Sequence, residues 1–145
     1  MVDYWPQEEG AVFDADAYIL PCRPDAAITE MSAVKVGTTV AGRISVLASA
    51  AIGDGIGIAL KAATGAGAPS RIPILFRGIA KVLADGAGAT AGVFAVNNVT
   101  TTFKDAATNV VGNLVLFTGL SYIMGMFLQT GAAGSDVLLL VGKTA

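Results

Sequence analysis

Three stretches of this 145-residue sequence carry residue types that do chemistry at suggestive spacings. The first is Gly86-Ala87-Gly88-Ala89-Thr90-Ala91, a G-x-G-x-x-A pattern behind the apolar run Ile79–Leu83, with Asp105 near the distance at which an acid meets a ribose. In a dinucleotide fold such glycines let the backbone approach a pyrophosphate at a helix N-terminus. Here Gly92-Val93-Phe94-Ala95-Val96-Asn97 follows and reads as a strand, so the helix that the motif needs is missing and a plain loop is expected. The second, Gly53-Asp54-Gly55-Ile56-Gly57, has no G-K-[ST] behind it and reads as a hairpin turn built on Asp-Gly. The third lies near the N-terminus, where Cys22 sits between Pro21 and Arg23, and Asp14 and Asp16 share one side of an extended segment. An arginine lowers a thiol pKa, but the chain has no His to serve as the base of a dyad, so Cys22 reads as a small hydrophobe. The two acids have no recognisable apolar pocket to shift either of them. One Cys and no His leave only carboxylates as metal ligands. The expectation is a non-enzymatic protein with no catalytic residues, no cofactor and no metal.

The elements around these stretches are short. Gly and Ala-Gly clusters (Gly37, Gly42, Gly53–Gly55, Gly65–Gly67, Asp85–Gly88, Gly131–Gly134) separate runs of Val, Ile, Leu and Phe, which is the signature of strands between turns. Strands are expected at Ala33–Val36, Arg43–Leu47, Gly55–Leu60, Arg71–Phe76, Gly78–Leu83, Gly92–Val96, Asn113–Phe117, Tyr122–Gln129 and Asp136–Val141. Ala48–Ala51 and Val82–Ala91 leave room for a short helix. Arg71, Arg77 and Lys81 share odd parity in the middle strands and mark a rim. Asn98-Val99-Thr100 is a glycosylation sequon, but Met1–Gly10 carries no secretory signal, so an inert sequon and assembly in the cytoplasm are expected. The composition is 54% hydrophobic with a mean hydropathy of +0.67, and Ala106–Ser135 carries no charge. Its most apolar part, Val110–Leu128, is long enough to span a bilayer but is interrupted by Asn109, Gly112, Asn113, Thr118, Gly119, Ser121 and Gly125, so strands are expected there, not a membrane helix.

Charge is unevenly spread. Residues 1–30 carry seven acids and one base, −6 in all; the remainder carries eight bases and four acids, +4, leaving −2 overall. The acidic end argues against nucleic acid as a partner. With Tyr4, Trp5, Phe13 and Tyr18 among three prolines (Pro6, Pro21, Pro24), residues 1–30 read as an extended arm that docks on a partner, and residues 31–145 as the β-rich domain. The competing reading makes the arm a strand of the domain itself. The partner-binding residues expected in the arm are Tyr4, Trp5, Pro6, Phe13, Asp14, Asp16 and Tyr18.

A weak internal repeat links residues 55–76 to 122–141. Setting Gly57 on Gly125 brings Leu60 onto Leu128, and a three-residue gap in the following turn brings Ile72–Phe76 onto Val137–Val141. Each unit reads as a hairpin. The fold expected is all-β or mainly β: a small antiparallel barrel or sandwich with an extended N-terminal arm.

Four runs resemble the head-decoration (cement) proteins of tailed bacteriophages: Gly53–Leu60 (GDGIGIAL), Ile74–Val82 (ILFRGIAKV), Ala87–Gly92 (AGATAG) and Gly134–Val141 (GSDVLLLV). The resemblance implies a β-barrel-like domain that trimerises on the outer capsid surface of the virion, non-enzymatic, with the major capsid protein and copies of itself as partners, and no nucleic acid or membrane. Apolar character in excess of a monomer's needs puts the oligomer interface at Leu114, Leu116, Phe117, Met124, Met126 and Phe127. The alternatives are a nucleotide-binding or small-ligand domain using Gly86–Ala91, or a membrane-associated protein using Val110–Leu128.

Overall fold

A computed structural model describes residues 17–38, 44–98, 100–106, 109–111, 114–116 and 123–142. Among them the secondary structure is strand and turn with no helix: β1 (Tyr18–Pro24), β2 (Ala33–Val36), β3 (Ser45–Ala48), β4 (Gly57–Ala59), β5 (Ile72–Ala84), β6 (Phe94–Asn98), β7 (Thr102–Asp105), β8 (Asn109–Val111), β9 (Leu114–Leu116), β10 (Gly125–Phe127) and β11 (Asp136–Val141). The all-β expectation holds. The two places left open for a short helix hold a turn at residues 50–53 and, at 82–91, the end of β5 and a turn. Among the described residues no helix is long and apolar enough to cross a membrane.

The architecture follows from β5. Its 13 residues fuse the two strands expected at Arg71–Phe76 and Gly78–Leu83. Even-numbered side chains from Ile72 to Ala84 face inward, while Arg77 and Leu83 face out. The first half of β5 pairs with β1 and β4, and the second half with β11 and β7. Two rings of five strands therefore close on one shared strand, β1-β3-β2-β4-β5 and β5-β11-β10-β6-β7. Most pairings are antiparallel, as expected, but β1–β3 and β5–β7 are parallel, because in each ring the chain passes through an intervening strand before returning beside the first. β1 lies within the segment expected to be a free arm. From Tyr18 onward that segment is a stave of the first ring, and a bridge at Ile28–Ala63 extends the attachment.

The two rings are copies of one another. Their β4–β5 and β10–β11 pairings share a register: Ile58 faces Leu75 and Ala59 faces Ile74, as Met126 faces Leu140 and Phe127 faces Leu139. The correspondence also reaches strands where the sequence shows none. Arg23 pairs with Ser45 as Leu83 pairs with Thr102, and Val34 with Gly57 as Ala95 with Gly125. Gly67 (φ 64°) donates to Pro24 O at 2.7 Å as Gly134 (φ 73°) donates to Ala84 O at 3.1 Å. Met31 holds φ 58° where its counterpart is Gly92 at φ 79°, and their amides bond to Ala59 O and Phe127 O at 2.7 and 2.8 Å. β1 runs antiparallel to the strand whose continuation is its own counterpart, so the operation relating the halves reverses strand direction and is a half-turn.

Packing explains why so little of this survives in the sequence. The first ring encloses Cys22, Ile28, Val34, Val46, Ala59, Ile72 and Ile74, with Leu20 beside them; the equivalent positions of the second are Val82, Ala89, Ala95, Phe103, Phe127, Val137 and Leu139, with Ala80. Val46 and Ala59 are answered by the larger Phe103 and Phe127, and Leu20, Ile28 and Val34 by the smaller Ala80, Ala89 and Ala95. Each interior is filled, with its bulk on opposite staves, as close packing demands. Backbone approach is tightest at Gly125, where an added Cβ would lie 1.9 Å from Leu140 O, against 2.9 Å from Leu75 O at its counterpart Gly57. Gly125→Ala should cost about 3 kcal/mol or more and Gly57→Ala clearly less; equal shifts of the two denaturation midpoints would contradict this geometry.

Candidate functional site

Besides the apolar cluster in which Ala33, Ile58 and Leu75 of the first half join the core of the second, the halves meet at a polar junction. The loop after β3, residues 49–55, lies against the β6–β7 turn of the other half. Asn97, fully buried, is its centre. Its side-chain amide donates to Ser49 Oγ at 2.6 Å and Ala51 O at 2.9 Å, and its Oδ1 accepts from Gly55 N at 3.0 Å. Its carbonyl accepts from Gly53 N at 3.1 Å. Thr100 Oγ1 donates to Ser49 O at 2.7 Å, and Ala33 N donates to Thr100 O at 2.9 Å. The Gly53-Asp54-Gly55 turn is thus placed by the second half. Asp54 binds the loop's own donors, accepting from the amides of Ala50 and Ala51, both at 3.1 Å, and from the Ser49 hydroxyl, with Lys35 Nζ at 3.9 Å. Burial disfavours its charge, but these hydrogen bonds and that of Asn97 together outweigh burial and hold the carboxyl below its ordinary value.

The reciprocal position differs. The counterpart of Asn97 is Val36, 59% exposed, and Ile44 on the same β2–β3 connection is 60% exposed. The two largest length differences between the halves fall in the β2–β3 connection and in the segment that matches loop 50–55. The β2–β3 connection spans residues 37–44 against 98–101, and the segment matching loop 50–55 is 107–123, which includes the β8–β9 hairpin. That hairpin forms a separate two-stranded sheet, apart from the nine-stranded one.

The residues singled out for chemistry are placed as follows. Gly86–Ala91 is a turn with no helix behind it: Gly88 N bonds to Asp85 O at 3.0 Å, Ala87 N to Asp85 Oδ1 at 2.9 Å, and strand β6 follows. Asp105, the acid at ribose distance in the sequence, instead accepts from Thr90 N at 3.0 Å and ties that turn down. Cys22 is fully buried in the first ring, and burial pushes its thiol pKa up, away from the reactive range. Asp25 accepts from Arg23 Nη1 at 2.6 Å. Its counterpart Asp85 takes Asn98 Nδ2 at 3.2 Å, but Gly37 stands where Asn98 would be, and Asp25 Oδ2 is buried with no hydrogen-bond partner among the described residues. An open groove of about 450 Å3 runs between the halves, with Glu30 and Met31 on one side and the Lys81–Asp136 pair, 3.4 Å apart, on the other.

Of the expected arm contacts, Tyr18 lies on β1, 53% exposed, its ring 6.2 Å from that of Phe76; Tyr4, Trp5, Pro6, Phe13, Asp14 and Asp16 lie outside the described residues. Of the expected oligomer contacts, Phe127 is buried on the inward side of β10, and Met124, just before that strand, is buried in the same hydrophobic cluster. Met126 is half-buried on its outer side. Leu114 and Leu116 belong to β9, and Phe117 lies outside the described residues. Sequence reasoning missed Asn97: its signal, a polar residue in the run Phe94–Asn98, was read only as part of a strand.

No protein-family model matches this chain, and no curated protein does.

Removing the junction's centre should be costly. Asn97→Ala leaves the buried Gly55 amide and the Ser49 hydroxyl short of partners, and should cost about 2–3 kcal/mol in chemical denaturation. An effect below ~0.5 kcal/mol would show that the junction contributes nothing net. Asp54 sets a pH dependence. Its folded pKa lies below the ordinary ~3.9 of the unfolded chain, so its contribution is complete above about pH 5 and is lost as pH falls through the folded value. Asp54→Asn should flatten that part of the stability profile below pH 5; an unchanged acid limb would count against the assignment.

Proposed function

We propose that this chain is a capsid decoration protein, which binds the outer surface of an assembled phage head and stabilises it without catalysis. What supports the reading is that the residues carrying the resemblance, Gly53–Leu60, Ile74–Val82 and Gly134–Val141, are the parts the fold repeats or uses to join its halves: the inter-half turn, the shared strand and the closing strand. Each five-stranded ring returns to β5, so the nine-stranded sheet offers loops and side chains rather than open strand edges for docking. Its outer face carries large apolar side chains, among them Tyr18, Ile19, Ile52 and Leu128, each at least 40% exposed. Such residues anchor interfaces when a partner covers them.

In this reading the mechanism is mass action. A subunit that binds only the assembled shell stabilises that state by RT ln(1 + [L]/Kd), and three linked copies gain by avidity. The partners are the major capsid protein and further copies of the chain as a homotrimer. The acidic, aromatic N-terminal segment is the docking arm, now bounded by β1: it comprises residues 1–16, with Tyr4, Trp5 and Phe13 as anchors.

The test is co-sedimentation of purified protein with expanded phage shells. A deletion of residues 1–16 should keep the melting temperature and reduce shell occupancy, with each aromatic anchor worth roughly 2 kcal/mol. A deletion of residues 1–30 also removes β1 and should yield unfolded protein. Shell binding unchanged by the shorter deletion would remove the arm from the mechanism; failure to bind any expanded shell would sink the reading.

A further inference from the structure

We infer that the open groove between the halves is a binding site for a primary ammonium on an aliphatic stem, carried by a free amine or by a lysine of a partner chain. The inference does not rest on the shell reading. The groove measures about 450 Å3 and lies between two packed units, the size and the place at which ligand sites concentrate. Glu30 and Met31, from the connection between β1 and β2, form one wall; Lys81 and Leu83 of β5 and Asp136 of β11 form the other. Asp136 is answered by Lys81 Nζ at 3.4 Å. Glu30 has no ion pair among the described residues, and the hydroxyls of Thr29 and Thr101, which line the same groove, have no hydrogen-bond partner among them. Two carboxylates against a single ammonium leave the groove negative. Met31 and Leu83 add aliphatic surface beside these groups. An alkylammonium answers both features: its head donates to the Glu30 carboxylate and to hydroxyl oxygens, and its stem covers Met31 and Leu83. An anion would face the carboxylates, and a neutral apolar ligand would desolvate Glu30 without giving it a partner.

The repeat supplies a comparison within the same chain. By the register that relates the halves, the counterpart surface carries Ala91 for Glu30, Gly92 for Met31, Arg23 for Leu83 and Arg71 for Asp136. Ladder positions are held between the halves, but this lining is not: acids stand in one place and arginines in the other. The charge of the groove is therefore a property of its own residues and not a by-product of the frame. Met31 sharpens the contrast. It holds φ 58°, a conformation that favours glycine, where Gly92 holds φ 79°. A side chain is kept there against the preference of the backbone, and it both lines the groove and packs on the core cluster.

Titration of the isotope-labelled full chain with pentylamine, read by amide chemical shifts, tests this. Shifts should concentrate at residues 29–31, 81–83, 101 and 136 and spare the counterpart at residues 90–92 and 71. The dissociation constant should be on the order of 1 mM, as fits an exposed ion pair with a short apolar stem. Pentanoate, the same stem with the opposite charge, should leave the groove unmoved. Glu30→Gln, at an exposed position that accepts the change without loss of melting temperature, should raise the dissociation constant about threefold or more. The double variant Glu30→Ala, Met31→Gly gives this wall the residues of its counterpart. It should fold, as the second half does with them, and show no saturable shifts. A capped alanine peptide with one central lysine separates the two sources: tighter binding than pentylamine points to a lysine of a partner chain, weaker binding to a free amine. No shift at the groove with pentylamine, an equal response to pentanoate, or an affinity unchanged by Glu30→Gln would each overturn the inference. No shell enters the experiment, so its failure leaves the functional reading to its own test.

Discussion

One strand is hydrogen-bonded along both edges over both of its halves, and the rest of the molecule depends on that. A strand has two edges, and β5 lends both to the first ring through β1 and β4, then both to the second through β11 and β7. It is at once the last stave of one barrel and the first of the next. This removes the need for a linker: the halves cannot separate without breaking backbone ladders in each. It also gives both rings one inward parity, the even-numbered residues of β5, while odd-numbered Leu75 is buried on the opposite face in the cluster that joins the halves.

Given that constraint, the halves are free to differ in side chains but not in register. The cores exchange large for small across equivalent staves, as between Ala59 and Phe127, while ladder positions and left-handed turns are held. Polar positions diverge more. Asp85 keeps an amide partner in Asn98, whereas Asp25 has recruited Arg23 for one oxygen and left the other unpartnered among the described residues. The junction is divergent in the same sense: Asn97 organises one side through hydrogen bonds to Ser49, Ala51, Gly53, Asp54 and Gly55, and the equivalent position has become an exposed valine. Duplication provides the frame, and asymmetry at the junction provides surfaces that the two halves do not share.

The strand-and-turn character was legible because Gly clusters bound nearly every aliphatic run, and Asp136–Val141 has the bounds expected from its sequence. The hairpin repeat was legible because Gly57 and Gly125 are held by backbone approach, which no other residue satisfies. The remainder of the duplication was not, because volume compensation in the cores erases identity while preserving packing. The fusion of two expected strands into β5 was hidden by Gly78, which punctuates turns elsewhere in this chain but here sits in mid-strand at φ 136°. Tyr18–Pro24 was read as an arm because its two prolines argue against a ladder. They fall at Pro21 and Pro24, where the parallel and antiparallel partners still pair on either side. Asn97 was invisible because its role is set by a loop some forty residues earlier.

The pairings of β5 also settle where the chain enters and leaves the body. Tyr18 lies opposite Arg77 and Val141 opposite Gly78, consecutive residues at the strand's midpoint. The described chain therefore starts and finishes at the seam between the barrels. The molecule is topologically close to a loop: a short linker could join those ends and new termini be opened at the Asp85–Gly88 turn without cutting a ladder. A peptide or domain attached directly before Tyr18 or after Val141 would leave from the same spot, at the centre of the body rather than at its tips.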